Sequence, residues 1–271
     1  MSSTAISTDA APQRRVRFRA RGFVVIRNRA ASWIAFALLL LLWEAAVREN
    51  VVSDLFLPAP SAVLQALWGL ILDGTLWLNL RASLVRLAVG WTTGTIAGVL
   101  AGFLIGISSL GRAIGIPVIS AIFPVPKIAL LPLFILWLGI GETSKITVIG
   151  LGVFFPTAIA TFSAIDAVPR GLIRMAQSFD LPWYEILRKI VFPAALPGIL
   201  AGFRITASVA LLLLVSAEMI GAQYGIGAFV LTEGQLMQID ALLAGVCVLS
   251  VLGLLIGAVL SQLEKRLLHW R

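Results

Sequence analysis

The chain has 271 residues, 59% of them hydrophobic and 13% charged, with a formal charge of +8 and a mean hydropathy of +1.00. A soluble domain could not clothe its core with so little polar surface. A single cysteine, Cys247, and a single histidine, His269, exclude an intrachain disulfide, a cysteine or histidine metal centre and a histidine general base.

Residues 1–30 carry seven arginines (Arg14, Arg15, Arg17, Arg19, Arg21, Arg27 and Arg29) against one acid, Asp9, and an apolar run begins at Ala31. That flank is expected to stay in the cytoplasm as a basic tail. Such a distribution of basic residues fits retention on one side of a bilayer and not binding of nucleic acid. A spanning helix needs about 20 apolar residues to cross roughly 30 Å of hydrocarbon. The hydropathy pattern predicts six, over residues 31–47, 84–107, 116–139, 145–164, 198–220 and 241–263.

The first two spans are joined by a long external connection, so that residues 31–80 comprise the first transmembrane helix and an amphipathic link. Leu57-Pro58-Ala59-Pro60 reads as a rigid turn, and Ser61 as the cap of a short helix, over 62–72, that cannot span. Glu44, Arg81, Arg86 and Arg204 fall near predicted span ends and read as interfacial anchors. Span two carries Gly94, Gly98, Gly102 and Gly106, four glycines on nearly one helix face, where another helix can approach closely. Span three carries Pro117, Pro124, Pro126 and Pro132, which predict a kinked or partly unwound helix beside a pathway. Lys127 in that span and Glu218 in span five are ionisable groups at membrane depth, hence candidate pathway or gating residues, with structural pairing or snorkelling as the alternative.

Six crossings return the C-terminus to the side of the N-terminus. The loops on that side hold Arg112, Arg170, Arg174, Arg188 and Lys189, whereas the stretch from Gly221 to Asp240 has Glu233 and Asp240 and no Lys or Arg. The positive-inside rule is met. Between spans four and five, Val168 to Pro193 reads as two short helices joined at Asp180, with Pro169 and Pro182 in their first turns and Pro193 and Pro197 as stops. Glu185 and Lys189 form a favourable pair on the second. A compact hairpin of this kind makes a rigid knob for a partner's groove.

At this loop the chain resembles the membrane permease subunits of binding-protein-dependent ATP-binding-cassette (ABC) importers, whose loop reads Glu-Ala-Ala, three residues, Gly, nine residues, Ile-x-Leu-Pro. Arg174-Met175-Ala176 stands for Glu-Ala-Ala, Asp180 for the glycine, and Ile190-Val191-Phe192-Pro193 for Ile-x-Leu-Pro. Asp visits left-handed backbone more readily than most residues, which suits the glycine position. The stretches from Phe123 to Leu133, Trp137 to Glu142 and Ala217 to Ala222 resemble the branch that imports nitrate, bicarbonate, taurine and alkanesulfonates.

The resemblance implies an all-α membrane protein with six transmembrane helices and the type I ABC importer permease fold. A permease core over 81–265 would contain a cytoplasmic coupling loop over 165–197, followed by a cytoplasmic tail over 266–271. It implies a multi-pass protein of the bacterial inner membrane, a homodimer, two cytoplasmic ABC ATPase subunits and an external substrate-binding protein. The expected ATPase-docking residues are Ala176, Ser178, Phe179, Asp180, Leu181, Trp183, Tyr184 and Pro193. No cofactor, metal or catalytic residue is expected, and the chain lacks the Gly-x-x-x-x-Gly-Lys-Ser/Thr phosphate loop. The expected cargo is a small anion, an aliphatic sulfonate or taurine, with nitrate or bicarbonate as alternatives. An ATPase-independent secondary transporter remains a rival, although no internal repeat is evident. A membrane-embedded enzyme would need carboxylate or histidine clusters within the bilayer.

Overall fold

The computed structural model describes residues 29–269; residues 1–28 of the basic segment expected before the first span lie outside them, as do the last two residues of the C-terminal tail. Among the described residues there is no strand. The helices are α1 (Arg29–Arg48), α2 (Pro60–Leu72), α3 (Thr75–Ile107), α4 (Ser109–Ile122), α5 (Leu131–Leu138), α6 (Glu142–Asp166), α7 (Arg170–Ser178), α8 (Trp183–Ile186), α9 (Phe192–Gly221), α10 (Ile226–Gln235) and α11 (Ile239–Leu267). Five of them, α1, α3, α6, α9 and α11, are long and apolar enough to cross a membrane, and α4 with the stretch from Lys127 to Leu138, bent by 83° at the break, counts as a sixth if the pair is one broken span.

Breaks fall where backbone chemistry requires them. Pro124 and Pro126 interrupt span three between α4 and a short 3-10 turn, Lys127–Leu130, so the expected unwinding is present. Pro117 is accommodated inside α4, and Pro132 lies in the first turn of α5. Two expectations are corrected. The second span begins at Thr75 and not near residue 84, because nothing after Gly74, itself left-handed at φ +82°, interrupts the helix. Pro193 and Pro197 do not stop the second hairpin helix. A π turn over Leu187–Val191, in which the Phe192 N–H donates to Leu187 O five residues back, widens the helix at that point and carries it into α9.

The glycine face of α3 packs along α6. A Cβ on Gly98 would lie 2.7 Å from Phe154 O and from Thr157 Cβ, and Gly94 and Gly102 approach the Gly150 and Ala158 carbonyls more closely still. The two helices run parallel, and α9 returns antiparallel to α6, with Gly198 against Ala164 and Gly202 against Ala160. Small residues thus hold backbones together where apolar side chains gain little by leaving lipid. The central core gathers Leu87 from α3, Leu131 from α5, Val148, Ile149 and Val153 from α6, and Leu214 from α9. Ser61 does not cap α2, whose N-cap is Ala59. Its N–H and hydroxyl bind the Glu44 carboxylate at 3.1 and 2.8 Å and tie α2 to α1.

Candidate functional site: a buried clasp and an exposed hairpin

Two constellations stand at opposite ends of α6 and α9. At the start of α6, Arg86 from α3 joins two carboxylates. Its Nε and Nη2 grip Glu142 in a bidentate pair, and its Nη1 donates to Glu218 Oε1 at 2.7 Å and to Tyr224 O at 2.6 Å. Glu218 also accepts from Ser83 Oγ at 2.8 Å and from the Gly227 N–H at 2.8 Å. The Ile226 N–H donates to Ser83 Oγ, and the Gly225 N–H to Asn79 Oδ1. The Glu218 carboxylate therefore sits at the positive end of α10 and satisfies the Gly227 amide, which the helix cannot. Arg86 is 3% exposed and Glu218 1%, and Lys145, its ammonium on Gly141 O, is buried beside them.

Glu218, the candidate pathway or gating residue of span five, is thus paired and enclosed in this structure. The assignment of Arg86 as an interfacial anchor is corrected: burial and two carboxylates make it the centre of the clasp. A signal for it was present in the sequence. Asn79, Ser83 and Arg86 are spaced by four and three on α3 and lead directly into the face that carries Gly90 and Gly94.

Lys127 lies elsewhere, about 15 Å along α6 from Glu142 if Gly152 marks its level. Its ammonium donates to Ile122 O at 2.9 Å and to Phe123 O, and stands 4.8 Å from the centroid of the Phe155 ring. The positive charge answers the negative end of α4 and a π face. Among the described residues no carboxylate pairs with it.

At the far end, α7, α8 and the π turn form the expected hairpin. Its inside is apolar, with Ile165, Val168, Ala176, Ile186, Val191, Ala195 and Ile199 in one cluster. Asp180 takes φ +53°, a left-handed backbone that glycine adopts freely and Asp tolerates better than most residues. The turn brings Phe179, Trp183 and Tyr184 to the outer surface, 73%, 72% and 57% exposed, with the last two rings in edge contact. Ser178 and Asp180 are exposed beside them, whereas Leu181 and Pro193 are half-buried. Ala176, 1% exposed, supports the hairpin from within and offers no surface to a partner.

Comparison with known proteins places this arrangement among transport systems. The sequence model of the family described as binding-protein-dependent transport system inner membrane component matches residues 94–269. The chain is 37% identical over 239 residues to the taurine transport system permease protein TauC of Escherichia coli (strain K12), covering 86% of this chain and 87% of that one. It is 36% identical over 235 residues to the putative aliphatic sulfonates transport permease protein SsuC of Bacillus subtilis (strain 168), covering 87% and 85%. A chain of the MetNI methionine ABC transporter, solved in inward-facing conformations, shares the fold with a TM-score of 0.60 at 22% identity, over 72% of this chain and 95% of that one.

Proposed function

The chain belongs to the family of binding-protein-dependent transport system inner membrane components, and from that premise we propose that it carries a small sulfonate-bearing solute, an aliphatic sulfonate or taurine, through an ABC importer driven by a separate ATPase. Its architecture is that of a type I importer permease. The observation that carries the assignment of the motor contact is the exposed aromatic trio Phe179, Trp183 and Tyr184 on a hairpin with an apolar inside. Large aromatic side chains held on a rigid support are the usual anchors of a protein interface. The functional unit is a pair of these chains with two ATPase subunits and one external binding protein. The relatives TauC and SsuC, permeases of taurine and aliphatic sulfonate transport, favour a sulfonate over nitrate or bicarbonate.

Charge supports the orientation. Residues 49–74, 139–141 and 222–238, which connect helices at the clasp end, contain no Lys or Arg, whereas the hairpin end carries Arg112, Arg170, Arg174, Arg188, Lys189, Lys265 and Arg266. The hairpin and both termini then face the cytoplasm, and the clasp faces outward. Lys127, with no carboxylate partner among the described residues and set at the break in span three, is the pathway cation for the sulfonate.

The test is uptake into proteoliposomes that hold the chain and its ATPase, with the binding protein supplied outside. ATP-dependent accumulation of taurine or ethanesulfonate in preference to nitrate and bicarbonate is expected, and uptake that persists without the ATPase would instead identify a secondary transporter. Lys127→Gln should lower uptake with the ATPase still bound; unchanged uptake removes Lys127 from the path.

A further inference from the structure

The clasp concentrates on one short segment. Tyr224 O and the N–H groups of Gly225, Ile226 and Gly227 all bond to side chains of α3 or to Glu218 of α9. The segment is shaped to the carboxylate. Gly225 has φ +139°, and a Cβ there would overlap the Glu218 carboxylate and the Arg86 guanidinium. A helical hairpin could be seated by apolar packing alone, and buried ion pairs are often no more stable than apolar residues of similar volume. What the ionic seat adds is discreteness: it is either made or broken.

The clasp also has an end that water can reach. Arg86 binds Glu218 in the interior and Glu142 at the surface, where the Glu142 side chain is 59% exposed. Both helices that carry these acids run directly to the cytoplasmic knob. The first, α6, begins at Glu142 and ends at Asp166, just before α7; the second, α9, emerges from the hairpin and ends just beyond Glu218. The helices α6 and α9 thus run between the knob and the two carboxylates that share Arg86.

We propose that Arg86 and Glu218 are positioning residues that latch the Tyr224–Gly227 segment and α10 across the outer ends of α3 and α9, and that docking of the external binding protein releases this latch and so licenses ATP hydrolysis. The proposal rests on the permease reading above. Its energetic content is a bias: with the latch made, the resting state holds the outer end shut, and the binding protein supplies the differential interaction that shifts the population. Weakening the latch raises the unlatched fraction without the binding protein.

The experiment measures ATP hydrolysis by the reconstituted complex, with and without its taurine-loaded binding protein, in wild type, Ser83→Ala and Glu218→Gln. Ser83→Ala removes one hydrogen bond to Glu218 and one from Ile226 while both charges stay in place. It should raise unstimulated hydrolysis by at least about twofold, the lower end of the range for a single lost hydrogen bond, and lower the stimulated-to-unstimulated ratio to match. Glu218→Gln should bring that ratio close to one, with the ATPase still co-purifying. A purely structural clasp would reduce the yield of complex and leave the ratio per assembled complex unchanged. That unchanged ratio in Ser83→Ala overturns the proposal, and it decides alone if Glu218→Gln does not assemble. A wild-type complex with neither stimulation nor uptake would refute the permease reading instead.

Discussion

Two ion pairs of the same length, 2.7 Å, stand at opposite ends of the bundle and differ in everything but distance. Arg86 and Glu218 are 3% and 0% exposed in their side chains, whereas Lys189 and Glu185 are 62% and 29% exposed. The first pair is enclosed, and the hydrogen bonds of Ser83 and Gly227 complete the coordination of its carboxylate. The second lies on the outside of a hairpin whose interior is apolar and whose surface presents three aromatic rings. One end thus uses charge internally to hold its own chain, and the other uses apolar packing internally and leaves its aromatic rings exposed. Burial, and not bond length, sets what each pair contributes.

The sharpest way to break this comparison is Arg86→Ala. It leaves the Glu218 carboxylate enclosed without its hydrogen-bonded counter-ion, and a loss of about 3–5 kcal/mol is expected, read as a lower unfolding temperature and reduced monodisperse yield in detergent. Glu142→Gln, at the exposed side of the same guanidinium, should lose under about 1 kcal/mol. If the two variants melt together, the clasp is not governed by burial. At the other end the signature reverses. Phe179→Ala with Trp183→Ala should leave the melting of the isolated permease unchanged but weaken ATPase binding roughly 30-fold or more, the effect of losing about 2 kcal/mol at an interface anchor. A titration of labelled ATPase onto the permease reads this directly.

The two ends were unequally legible in the sequence. Runs of apolar residues place the six crossings because hydrocarbon thickness fixes their length, and the four-residue glycine spacing marks the α3 face that meets α6. The hairpin is legible because prolines and charges punctuate it, and even the left-handed turn at Asp180 follows from what Asp tolerates. Arg86 and Glu218 are 132 residues apart, so their pairing depends on how α3 and α9 are brought together by the packing of both on α6. Helix spacing reveals only which residues share a face. It shows that Asn79, Ser83 and Arg86 align, but not what they meet. The π turn before Pro193 was hidden for a related reason: proline marks a missing donor, whereas a five-residue hydrogen bond that bypasses the gap has no compositional mark.

Asp180 offers a finer test of the hairpin end. At φ +53° its Cβ is disfavoured, and glycine adopts that backbone freely. Asp180→Gly should maintain or raise local stability by up to about 1 kcal/mol, whereas Asp180→Val should lower it by about 1–2 kcal/mol. Amide hydrogen exchange at Leu181, whose N–H reaches Ala176 O across the turn, is the readout. Equal exchange in both variants would mean that the turn is held by packing of Leu181 and not by its backbone.

The smallest effect belongs to the exposed pair itself. Glu185 and Lys189 are four residues apart, with the acid nearer the helix start, the order that favours both partners. Lys189→Ala should lose only about 0.3–0.5 kcal/mol. A double-mutant cycle with Glu185→Ala isolates the coupling, and at 1 M salt, where screening acts within about 3 Å, it should vanish. The corresponding cycle on Arg86 and Glu218 should remain well above that value and barely respond to salt, because ions cannot reach an enclosed pair. Two bonds of one length that diverge under salt would establish that the clasp and the hairpin draw on different physics. A salt-sensitive Arg86–Glu218 coupling would mean instead that water enters the clasp, and that the outer end opens without its partner.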